Sequence, residues 1–177
     1  MPQKNKQLQD VMTSIRFLSR MSRIHDLDVE DHAASPKVLM RRHGEKLLKY
    51  VAQSLGFEKG HFNLSYHPAG IAVSGDVTLH SDHLYLELNE SSCGGVEILY
   101  RQCHGMKDSV GGHNYFKRVE HLLEDEDDVA ESGVAHALVE WINALRSLNH
   151  PLQSPLFGPS VEEKPRAPQG KRLGLGG

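Results

Sequence analysis

HLYLELNESSCGGVEILYRQC, residues 83–103, decides the fold of this chain. Leu84, Leu86 and Leu88 alternate with Tyr85, Glu87 and Asn89. After a glycine-containing turn from Ser91 to Gly95, Val96, Ile98 and Tyr100 alternate with Glu97, Leu99 and Arg101. A period of two sends successive side chains to opposite faces of a strand. The same alternation runs through HFNLSYH (61–67) and IAVSGDVTLH (71–80), joined by the turn Pro68-Ala69-Gly70. Ser81-Asp82 turns the chain again. Four such runs with short turns predict an antiparallel meander with one covered face.

Helices flank the meander. Ser35-Pro36 reads as a helix start, with serine as cap and proline in the first helical position. Leu39, Leu47, Leu48, Val51 and Leu55 give an apolar face over 36–55, and Gly56 a stop. Downstream, Phe116, Val119 and Leu123 predict a helix over Tyr115–Leu123, with Asn114 as its cap. Glu124 to Asp128 complement the dipole of a last helix, Val129–Leu148, with Val134, Leu138, Trp141, Ile142, Leu145 and Leu148 as its core stripe. The fold class is therefore α+β: a helix, a four-stranded antiparallel meander and two helices, in a two-layer sandwich over residues 35–148.

Outside that domain the chain changes character. Within residues 1–24, Leu8, Val11, Met12, Ile15, Leu18 and Met21 recur at helical spacing, an amphipathic helix. Such a helix can lie on a membrane surface or a partner. The rule that apolar stripes face cores favours docking on its own domain or on a second copy, which would make a homo-oligomer. Residues 25–34 are an acidic linker. Residues 149–177, rich in Pro, Gly, Ser and charge, read as a disordered tail.

Composition narrows the function. The 177 residues carry a net charge of −3 and are 38% hydrophobic. Lys4, Lys6, Arg16, Arg20 and Arg23 against Asp10 give the first 24 residues +4. Lys164, Arg166, Lys171 and Arg172 against Glu162 and Glu163 give the end +2 and leave the body at −9. An acidic body repels nucleic acid, so phosphate contacts would fall to the ends. Helix, three strands and helix is the order of a double-stranded-RNA-binding domain. The acidic start of the last helix stands where phosphate contacts would want lysines. No apolar run reaches the roughly 18 residues of a membrane span. The start, MPQKNKQLQD, lacks a signal peptide's apolar segment. Cys93 and Cys103 make no disulfide framework, so a reduced, cytoplasmic protein is expected.

The loop His104–Asn114 is where function is expected, because loops on a rigid scaffold carry it. A strand-to-helix connection usually needs two to six residues, and this one is much longer. It gathers Lys107, Asp108, Gly111, Gly112, His113 and Asn114 behind His104. Gly111-Gly112 can bring the backbone close to a ligand, and Lys107 adds charge for an anion. The P-loop's Gly-Lys-Ser/Thr is missing, and a tight turn explains two glycines as well. Asp108 and Asn114 could instead be caps. No metal or other cofactor is expected. Cys93, Cys103, His104 and His113 have the wrong spacing for zinc, and Cys103 and His104 point to opposite faces of a strand. His25, Asp26, Asp28, Asp31 and His32 lack a calcium loop's glycine and terminal glutamate. Cys103 carries no catalytic signature and reads as a small buried thiol.

Leu84-Tyr85-Leu86-Glu87-Leu88, Leu99-Tyr100-Arg101-Gln102-Cys103 and Met106 to Asn114 resemble a small family of uncharacterised bacteriophage and plasmid proteins. Its members share an L-Y-V-Q-L strand, an LYRSC strand and an R-K-D-Y-x-G-G-x-N loop. The likeness spans about residues 65–125, with Met106 and Ser109 replacing a basic and an aromatic residue. It implies a mobile-element origin, hence the cytoplasm of a host cell, and no established activity. The expected function is an interaction or regulatory protein that binds an unknown protein partner, such as a host factor. The alternatives are a small enzyme or ligand-binding domain using the 104–114 loop and, more weakly, a nucleic-acid accessory protein using the basic ends.

Overall fold

A computed structural model describes residues 2–24, 36–67, 76–91, 94–108, 111–124 and 135–152. Among them the chain runs α1 (Pro2–Ile24), α2 (Pro36–Ser54), β1 (Phe62–His67), β2 (Asp76–Ser81), β3 (Leu84–Glu90), β4 (Val96–Gln102), β5 (Tyr115–Arg118), a 3-10 helix (Val119–Leu123) and α3 (His136–Leu148). The strands form one antiparallel sheet in sequence order, β1-β2-β3-β4-β5. This is the α+β class that the alternation predicts, with one strand more.

Register puts the apolar residues in cross-strand rows. Leu64, Leu79, Leu86 and Tyr100 align, as do Tyr66, Val77, Leu88 and Ile98. The rows face the helices. Leu79, Leu84, Leu86, Leu88 and Ile98 are fully buried against Leu47 and Leu48 of α2, Leu122 of the 3-10 helix, and Leu138 and Leu145 of α3. Gly44 lets α2 approach β2: a Cβ there would stand 3.0 Å from Val77 Cγ2.

α1 belongs to this same core. Met12, Ile15 and Leu18 are fully buried, and the helix packs on α2, β4 and the 3-10 helix. The division into an appended helix 1–24 and a self-contained domain 35–148 therefore separates elements that share one core. The apolar stripe of α1 is covered within the chain.

Residues 115–123 differ from the expectation. The expected helix is β5 followed by the 3-10 helix. Phe116, Val119 and Leu123 suit a helical spacing, but the open edge of β4 competes for the segment and wins. Tyr115 pairs with Tyr100 and Phe116 with Leu99, and the two tyrosine rings stack with centroids 5.5 Å apart. Tyr and Phe also fit a pleated, half-buried surface.

The last helix is described from His136 onward, and the first part of its expected range lies outside the described residues. So do the linker 25–34, the Ser35 cap, the start of the second predicted strand and residues 153–177. Residues 149–152, assigned to the tail, are described and return to β4. There Gln102 Nε2 donates to the His150 carbonyl at 3.3 Å, and Leu152 lies beside Gly112.

Candidate functional site

With the helices on one side, the other face of the sheet carries mostly polar side chains, most of them partly exposed, with Thr78 and Arg101 buried among them. One outer row reads Asn63, His80, Tyr85 and Arg101; the next reads Ser65, Thr78, Glu87, Leu99 and Phe116. The first row is where the 104–114 loop folds back.

The loop is braced from within. Gly112 N–H donates to the Gln102 carbonyl at 2.8 Å and Asp108 N–H to the Gly105 carbonyl at 3.0 Å. The Asp108 carboxylate accepts the His104 N–H at 2.7 Å and the Gly111 N–H at 3.1 Å. Gly111 has φ +48° and lies directly on Arg101: a Cβ there would fall 1.5 Å from Nη1 and 2.5 Å from the Gln102 carbonyl oxygen. Only glycine allows both the angle and the approach.

Closing the loop buries a cation. Arg101 is 6% exposed although it sits on the outer face. Its guanidinium carbon lies 4.7 Å from the centroid of the Tyr85 ring, a cation–π contact. Nη2 donates to the Asp108 main-chain carbonyl at a long 3.4 Å. Nη1 is buried and has no hydrogen-bond partner. Among the described residues no carboxylate pairs with Arg101, because that of Asp108 is turned toward the loop's own amides. A buried charge without an acceptor is costly, so an unpartnered one lining a depression is a candidate site.

His80, Tyr85, Arg101, Lys107 and Asp108 line a shallow depression of about 290 Å³. The His80 and Tyr85 rings meet edge to face at 5.1 Å, and His80 Nε2 is also buried without a partner. Burial holds the His80 imidazole below its usual pKa, and the Arg101 charge adds to this; the Gly105 backbone and Asp108 pull the other way. Burial and the hydrogen bond to Glu87, at 2.6 Å, push the Tyr85 phenol far up, so it stays protonated. The depression is thus a neutral imidazole, a neutral phenol and two cations around one braced carboxylate.

Of the residues the sequence marks, Lys107 and Asp108 line this depression. Gly111 roofs Arg101, and Gly112 packs on Gln102 and Leu152. His113 turns away against Tyr115 at 4.8 Å. Asn114 is exposed ahead of a strand, so the helix it was expected to cap is not there. Asp108 does brace the turn, as its alternative reading holds. Cys103 is fully buried, its thiol 3.4 Å from the Ser81 carbonyl, and burial raises its pKa. A thiol held protonated is a poor nucleophile. Sequence reasoning missed His80, Tyr85 and Arg101. Their shared parity in the alternation was the available signal.

Among the described residues no three His, Cys, Asp or Glu side chains gather as a metal site, and no helix is long and apolar enough to cross a membrane. No family model, curated protein or solved structure matches the chain.

Proposed function

We propose that this protein is a binding module that receives an anionic group of its partner in the depression over Arg101. The observation that carries the reading is the buried guanidinium, which among the described residues has neither a counter-carboxylate nor a partner for Nη1. An anion at this spot meets Arg101 through a low-dielectric floor and Lys107 across the rim, where opposite charges attract more strongly than in water. The protonated phenol and thiol favour binding over nucleophilic chemistry. On this reading the partner is a component of a host cell met in the cytoplasm, which the likeness of residues 65–125 to phage and plasmid proteins supports.

The test is an NMR titration of the full chain with sodium acetate at constant ionic strength. Saturable amide shifts are expected at His104, Lys107, Asp108 and Gly111, weakened in Lys107→Ala. Shifts that grow linearly without saturating, or that are the same in Lys107→Ala, would remove the reading.

A further inference from the structure

We infer that the anion is the terminal carboxylate of a partner chain whose last side chain is apolar. This rests on the anion-binding reading above and adds the ligand's shape. Two observations supply it.

The first is an apolar step beside the depression. Leu99 lies two residues along β4 from Arg101 on the same face, about 7 Å away at the rise of a strand. Its partner across the sheet is Phe116, which is 57% exposed. A large aromatic ring left open to water on a sheet face, beside a second apolar residue, is a surface for an apolar group. In a peptide end the carboxylate and the tip of the last side chain stand a comparable distance apart. One ligand can reach both.

The second is charge balance. On and around the outer face, Arg101, Lys107 and Arg118 stand against Asp76, Glu87, Glu97 and the braced Asp108. Glu87 accepts the Tyr85 hydroxyl, and Arg118 is engaged with Glu120 at 3.0 Å and the Gly94 carbonyl at 2.7 Å. A face so balanced does not attract a polyanion, which needs a continuous basic surface. It holds one local cationic point, matched to one charge. A carboxylate suits it: it would replace the long Asp108 carbonyl bond at Nη2 with a charge-assisted hydrogen bond. The depression is open, so it covers only part of a free small acid, which binds it weakly. A chain end gains further contacts from the residues before it.

The experiment measures fluorescence anisotropy of labelled tetrapeptides on the full chain. The peptides are Gly-Ser-Gly-Phe as free acid, the same peptide as amide, and Gly-Ser-Gly-Gly as free acid. The first should bind best. Amidation should weaken it about tenfold, the loss of a charged hydrogen-bond acceptor, and replacing the last Phe by Gly should weaken it by a similar factor. Phe116→Ala and Phe116→Thr, both at a surface position, should erase the preference for Phe over Gly and leave the preference for acid over amide. Acid and amide binding alike, Phe and Gly ends binding alike, or phenylacetate binding as tightly as the peptide would each overturn the inference. Saturable acetate shifts alongside any of those results leave the anion reading standing. Their absence removes both.

Discussion

The two faces of β3 carry adjacent residues to opposite ends. Leu84, Leu86 and Leu88 are fully buried, while Tyr85, Glu87 and Asn89, one residue away in each case, are half-buried. On the first face what matters is volume, because leucines meet leucines across the register and against the helices. On the second what matters is chemistry: Glu87 accepts from Tyr85 and Asn89, and Tyr85 carries Arg101 on its ring. Arg101 breaks the pattern. It belongs to the open face by parity and to the interior by burial, because a loop has been folded over it.

The largest effect is expected from removing residues 1–34, which would strip Val11, Met12, Ile15 and Leu18 from the covered face. A chain beginning at Ser35 should lose its cooperative melt by circular dichroism. An unchanged melting temperature would show that residues 35–148 fold as a self-contained domain. Next comes Leu86→Ala, expected to cost about 2–5 kcal/mol in urea unfolding. Glu87→Ala, one residue along, should cost about 1 kcal/mol. Equal losses would mean that the outer face is as structural as the inner one.

Gly111→Ala sharpens the case of Arg101. The left-handed angle and the collision with Nη1 together should cost about 2 kcal/mol. Gly56→Ala, with φ +78° and no atom within 4 Å of the new Cβ, should cost only the angle, about 1 kcal/mol. If the two glycines lose the same amount, the loop is not seated on the guanidinium.

The smallest effect concerns pH and has one histidine on each side of the sheet. His43, between α1 and α2, stacks on Phe17 at 4.2 Å and lies 3.1 Å from Ser14 Oγ. Burial lowers its pKa from 6.5, with Lys46 and Arg42 adding to the shift. His80 on the outer face is lowered as well, again mainly by burial. A depressed imidazole favours the neutral form in the folded state. The stability it supports is fully present above pH 6.5, the unfolded value, and is lost as pH falls from there through the folded value. Melting temperature should therefore drop on acidification below that point. The drop should be shallower in His43→Gln and in His80→Gln. A slope that neither substitution changes would mean that other groups set it.

Much of this fold is legible in the chain. The 36–54 helix and the strands around Leu64, Leu79, Leu86 and Ile98 each repeat their period long enough to be distinguished. β5 does not: four residues cannot display a period, and Phe116, Val119 and Leu123 satisfy a helix equally well. Lys107, Asp108 and Gly111 stand out because the loop that holds them is longer than a connection requires. Arg101 looks like any polar residue on an outer face.

By itself, then, the sequence determined which residues of the strands and helices turn inward, because burial of apolar side chains at a period of 2 or 3.6 is a local property of the backbone. It also marked the one loop too long to be a mere link. Only the tertiary structure decided that α1 is core, that 115–118 completes the sheet, and that His80, Tyr85 and Arg101 share a row. Those outcomes depend on which edge, face and register the chain finds at long range, where an open edge on β4 outweighs a short segment's preference for helix, and where a glycine in a left-handed turn covers an arginine two strands from the histidine beside it.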